Sequence, residues 1–206
     1  MADERSFLDS PEGTREEIMN ATYHALCEHG YADLTIQRIG DQFEKSKSLL
    51  YHHYDGKDEL LFDFLDFMLE ELETSVPETI EEDAKTHLNV IFDKVFACER
   101  TEEKREFEAA MVELRAQAAH DDRYREYFTQ HDRFIENHLS HVIEVGIADG
   151  DFRDVDPERV APFIRTIIDG VRINRSTSNV GVTRSVRSEL DSYIESTLCI
   201  DDENKQ

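Results

Sequence analysis

The chain has 206 residues, 39% of them apolar, enough to bury a core in one large domain or two small ones. Its 47 acidic and 23 basic residues give a formal charge of −24, which taken alone argues against nucleic-acid binding, because phosphate contacts rest on Lys and Arg displacing counterions. No segment approaches 18 consecutive apolar residues and the first residues are polar, so neither a membrane span nor a secretory leader is expected.

Lysines number only seven against sixteen arginines, and carboxylates are spread along the whole chain. That pattern resembles proteins of salt-accumulating halophiles, whose acidic surfaces stay hydrated in concentrated salt; an ordinary acidic cytosolic protein is the alternative. Disorder is not expected, since apolar periodicity never lapses for long. Cys27, Cys98 and Cys199 are odd in number and far apart, and read as small core residues of a reducing compartment. A soluble, cytoplasmic protein is the expectation.

Apolar residues recur at helical spacing nearly throughout, so the predicted class is all-α, with short helices in the N-terminal part and a bundle of larger helices after them. Residues 1–13 read as a flexible arm. Thr14-Arg15-Glu16-Glu17 has the form of a capping box, opening a helix striped by Ile18, Ala21, Ala25 and Leu26 and closed by Gly30. Thr35 caps a predicted helix over 36–43, and Ser46 caps a short one over 47–53. Lys57 opens a longer helix with Leu61, Phe64, Leu65, Met68 and Leu72 on one face, ended before Pro77. Further helices are predicted over about 78–97, 104–119, 123–147, 157–175 and 184–199, the fourth with Asp156 as N-cap and Pro157 at N1. Residues 201–206 form a charged tail.

Two short helices joined by a tight turn bury little alone, and suit a third supporting helix with an outer face free to meet a partner. The window Lys45–Tyr54 holds two lysines, two histidines and no carboxylate, an exception in so acidic a chain. Its hydroxyls at Ser46, Ser48, Tyr51 and Tyr54 suit phosphate oxygens. On composition alone a solvated basic face explains the window equally well.

The run Leu34-Thr-Ile-Gln-Arg-Ile-Gly-Asp, then Ser46-Lys-Ser-Leu-Leu-Tyr-His-His-Tyr, then Lys57-Asp-Glu-Leu-Leu resembles the N-terminal domain of TetR-family regulators over residues 14 to 73. The resemblance implies DNA binding by residues 14–57, a connecting helix over 58–73, and an effector-binding and dimerising domain over 77–200. It places Gln37, Lys47, Ser48, Leu49 and His53 at base edges, and Thr35, Tyr51, His52 and Lys57 at phosphates, His52 also being a candidate at a base. Ile39, Phe43, Leu50 and Tyr54 pack the small core. One departure stands out. Where the family has Gly and an apolar residue in the turn, this chain has Glu44-Lys45, so the turn geometry is expected to differ.

The segment from Val145 to Val160, followed by Ile168-Asp-Gly-Val, is similar to the branch that contains betaine regulators. The resemblance implies a homodimer through the last two long helices, with Phe163, Ile167, Gly170, Val171, Val186, Leu190, Tyr193 and Ile194 at the interface, matched to a palindromic double-stranded operator; the alternative is that these faces merely cover the monomer's own core. An unidentified small-molecule effector is expected in a pocket lined by Phe92, Phe96, Phe107, Met111, Leu114, Phe128, His131, Phe134 and His138. His131 and His138 also read as core histidines, and His138 with His141 as metal ligands, though no further ligand completes a site. No metal, cofactor or membrane partner is expected. No nucleophile elbow, phosphate loop, zincin helix or CxxC pair marks an enzyme, and a helical partner-binding protein is the remaining alternative.

Overall fold

The computed structural model describes residues 11, 13–43, 45, 47–76, 83–97 and 100–200. Most of the arm, the Ser46 cap, Pro77, Cys98 and the charged tail therefore lie outside the described residues. The described chain is helical: α1 (Thr14–His29), α2 (Ile36–Gln42), α3 (Lys47–His53), α4 (Lys57–Ser75), α5 (Ala84–Val95), α6 (Glu102–Gln117), α7 (Asp122–Ala148), α8 (Pro157–Thr177) and α9 (Thr183–Tyr193). A π-helical turn, Ile194–Leu198, follows α9 directly. The contacts divide into two compact units, one of residues 1–74 with 101–128, the other of residues 75–100 with 129–206.

In the first unit, Ile18, Met19 and Leu26 of α1 meet Ile39, Leu50, Leu61, Phe64 and Leu65 of the next three helices in a core with almost no exposure. Ala110 and Leu114 of α6 belong to the same core, and Phe107 stacks on Tyr23 with ring centroids 4.6 Å apart. Compactness thus places α6 with the N-terminal helices rather than after a boundary at residue 77. α1 ends at Gly30, where φ is +65°, a conformation that a Cβ would strain. The Glu113 carboxylate of α6 accepts from the backbone N–H groups of Tyr31 (2.8 Å) and Ala32 (3.3 Å) just beyond.

The start of α1 corrects the sequence reading. Gly13 is the N-cap and no side chain caps the helix, so Thr14 and Glu17 form no capping box. Both instead engage Lys45, whose ammonium lies 2.5 Å from Glu17 Oε2 and 3.4 Å from Thr14 Oγ1. A cation from the turn before α3 outcompetes the local backbone for the same oxygens.

The second unit buries Leu88 and Phe92 of α5 against Leu139, Val142 and Ile143 of α7, Ile164, Ile168 and Val171 of α8, and Leu190, Ile194 and Leu198 at the end. Asp83 caps α5, accepting from Thr86 N (2.9 Å) and Thr86 Oγ1 (2.7 Å), and those bonds hold its carboxyl below the usual range. The helix proper therefore begins at Ala84, later than its apolar pattern suggested. Asp156 and Pro157 open α8 as predicted. Between α7 and α8 the chain turns through Gly150, at φ +78°. Phe152 then forms an antiparallel bridge with Cys199, flanked by Arg153 N to Leu198 O (2.7 Å) and Ile200 N to Asp151 O (3.1 Å).

Candidate nucleic-acid interface

α2 and α3 are seven residues each, too short to persist alone, and are held by one-sided burial. Thr35 caps α2 by accepting from Arg38 N at 3.1 Å. Gln42 at its far end donates to Glu28 of α1 at 2.6 Å. Ile39 and Leu50 are fully buried where α2 and α3 meet, and Gly40 permits the approach: a Cβ there would stand 3.3 Å from Leu50 Cδ1.

The outward face carries the expected reading residues. Thr35, Gln37, Lys47, Ser48, His52 and His53 are exposed, and Tyr51 is 57% exposed, a large aromatic left in solvent beside them. Leu49 is only half-exposed and leans on the first unit's core, which limits its reach toward a base. Lys57 is half-buried, its ammonium 4.6 Å from the centre of the Tyr31 ring and 3.4 Å from Tyr31 O, so it enters the surface already tied down.

The far end of α3 is fixed by a polar network invisible in the sequence. Tyr54 donates its hydroxyl to Asp63 Oδ2 at 2.5 Å. Arg15 holds the other carboxylate oxygen of Asp63 at 2.8 Å and reaches Glu70 at 2.8 Å. Burial and the hydrogen bond to Asp63 push the Tyr54 phenol well up, so it stays a donor at any ordinary pH. His53 lies beside Thr14, Arg15, Tyr54 and Asp63 around a small pocket at this end. Lys45, standing where an apolar turn residue was expected, is exposed and pinned to α1 by its Glu17 pair, an ionic substitute for the missing hydrophobic contact.

The other predicted sites divide between the two units. Phe107, Met111, Leu114 and Phe128 belong to the first unit's core, while Phe92 and Phe96 are buried in the second. His131 lies 3.4 Å from Asp132. His138 faces His87 of α5, their Nε2 atoms 3.2 Å apart, and burial together with His87 and His141 pulls its pKa down. Among the described residues no group of three or more His, Cys, Asp or Glu is arranged to hold a metal. Of the predicted interface residues, Phe163, Ile167, Val186 and Tyr193 line an open apolar groove between α8 and α9, and Gly170 is exposed. Leu190 lines the same groove while only 2% exposed, and Val171 and Ile194 are at most 5% exposed within this unit's core.

A capped short helix, a tight turn and a second short helix with a basic, hydroxyl-rich outer face define a helix-turn-helix DNA-binding protein. The family model described as bacterial regulatory proteins of the tetR family matches residues 18–64, and that of the BetI-type transcriptional repressor C-terminal domain matches residues 84–198. A solved TetR transcription regulator from Haloarcula marismortui is 38% identical, with a TM-score of 0.79 over 89% of this chain and 97% of that one. The transcriptional repressor AcnR of Corynebacterium glutamicum is 23% identical over 92% of this chain and 95% of its own length. A putative regulator from Saccharomonospora viridis, solved in complex with choline, shares the fold at 18% identity and a TM-score of 0.71, over 91% of this chain and 98% of that one. The chain belongs to the TetR family and is a DNA-binding transcriptional regulator.

Proposed function

We propose that this regulator is a cytoplasmic, dimeric repressor that leaves a palindromic operator when a small molecule binds its second unit. The exposed row of Gln37, Lys47, Tyr51 and His52 on α2 and α3 carries the DNA-reading part, with the large Tyr51 ring held in solvent beside basic and polar side chains. In this reading Gln37 and Lys47 face base edges, Gln suiting adenine and Lys guanine, while Tyr51 and Lys57 hold flanking phosphates. The apolar groove of Phe163, Ile167, Val186 and Tyr193 joins two copies about a two-fold axis, with Phe163 45% exposed in the single chain. Among the described residues no helix is long and apolar enough to cross a membrane.

The effector acts by binding one arrangement of the dimer better than another, shifting the spacing of the two reading heads. His131, Phe134 and His138 on α7 are the side chains proposed to meet it. Choline is the first compound to try, because a relative of the same fold was solved with it. The test is binding to a duplex spanning the gene's own upstream region, measured at molar salt. Tyr51→Ala with Lys57→Ala should cost at least about tenfold in affinity, the loss of one or two phosphate contacts, while sedimentation still reports a dimer. Equal binding by wild type and double variant, or no preference over random DNA, would remove the proposal.

A further inference from the structure

The window Lys45–Tyr54 is free of acid in sequence, but not in space. Lys47 opens α3 and its stem lies back across α2: a Cβ on Gly40 would stand 3.1 Å from Lys47 Cγ and 3.3 Å from Cδ. The missing side chain at residue 40 makes that path, and at its end the Lys47 ammonium pairs with the carboxylate of Asp41. Both partners remain accessible, at 44% and 57% side-chain exposure. Asp41 lies one helical turn beyond Gln37, and residues four apart share a helix face. The strongest cation of the reading face therefore already has a counterion, mounted on that same face.

We propose that Asp41 competes with DNA for Lys47 and is a specificity determinant of operator binding. The inference rests on the reading that α2 and α3 present Gln37 and Lys47 to DNA. When Lys47 turns to the DNA, Asp41 is left unpaired beside a polyanion, a cost any sequence incurs. Only a base edge offering an amino donor, such as cytosine N4 or adenine N6, gives the carboxylate a new partner. Random DNA thus loses more than the operator does, and specificity rises through a repulsive element. Because Lys47 is neutralised within the free protein, binding also releases about one counterion fewer than the cations of the face would suggest.

The experiment is a double-mutant cycle of Asp41→Asn and Lys47→Ala, read by fluorescence anisotropy on the upstream duplex and on a random duplex, across a potassium chloride series in which helical content is constant. Asp41→Asn should bind random DNA roughly three- to tenfold tighter, steepen the log–log salt dependence by about one, and raise operator affinity less. In the Lys47→Ala background its effect should shrink. An equal gain in both backgrounds, or no gain while Lys47→Ala weakens binding, overturns the competition. If Lys47→Ala itself leaves both affinities unchanged, Lys47 does not meet DNA, and the underlying reading of α2 and α3 at that position fails instead.

Discussion

Of the glycines in the second unit, Gly146 leaves the least room for a side chain. A Cβ there would stand 2.3 Å from Cδ2 of the buried Phe152 ring, and the Gly146 carbonyl also accepts the N–H of Asp151 and of Phe152 at 2.9 Å. Gly146→Ala should therefore force the ring to shift, at a cost of about 1–3 kcal/mol, read as a fall in the denaturant midpoint with an unchanged slope; no fall would mean that the ring relocates freely. Gly170 makes the contrast, since a Cβ there meets nothing within 4 Å. Gly30 is legible in the sequence as a helix stop, at the end of the first apolar stripe. Gly146 is not, because its partner ring comes from the turn after α7 and only the folded backbone brings the two together. Thr14 and Glu17 show the converse error: a local pattern was legible, and a lysine 31 residues from Thr14 in sequence claimed its oxygens.

At the scale of elements, α5 and α7 meet through the His87–His138 pair. One imidazole must donate and the other accept across 3.2 Å, so at least one stays neutral. Burial, then His87 and His141, lower the folded pKa of His138 below its ordinary 6.5, so the unfolded chain binds that proton more readily. The pair's contribution is therefore intact above pH 6.5 and is lost as pH falls below it. His138→Gln should flatten the decline in thermal midpoint between about pH 7.5 and pH 5.5, and an undiminished slope would place the sensitivity elsewhere. Helix existence and order were legible, because caps such as Thr35 and Asp156 and stripes such as Leu61–Phe64–Leu65 are local signals. What each stripe packs against was not. Val171, Leu190 and Ile194 lie in this unit's core, and Leu190 also lines the groove with Phe163 and Tyr193. The α6 contacts that join it to α1, through Tyr23, Gly30 and Glu113, are all distant in sequence and leave no periodic mark.

For the whole molecule, a charge of −24 on 206 residues is a standing self-repulsion that dissolved salt screens. If the acidity is an adaptation to concentrated salt, helical circular dichroism should fall on dialysis from molar to low salt, and a flat trace would dismiss that origin. The same screening weakens the general phosphate attraction that an acidic regulator can least supply. The clasp between Phe152 and Cys199 has a different consequence, in the order of events on the ribosome. Its two bridging residues are separated by nearly fifty residues, and Leu198 and Ile200 supply its last backbone bonds. The second unit thus lacks this bridge while those residues are still in the exit tunnel, whereas every residue of the first precedes them in the chain. The DNA-reading end is complete before the rest of the molecule, and a nascent chain stalled late in synthesis would display a finished reading head on an open second unit.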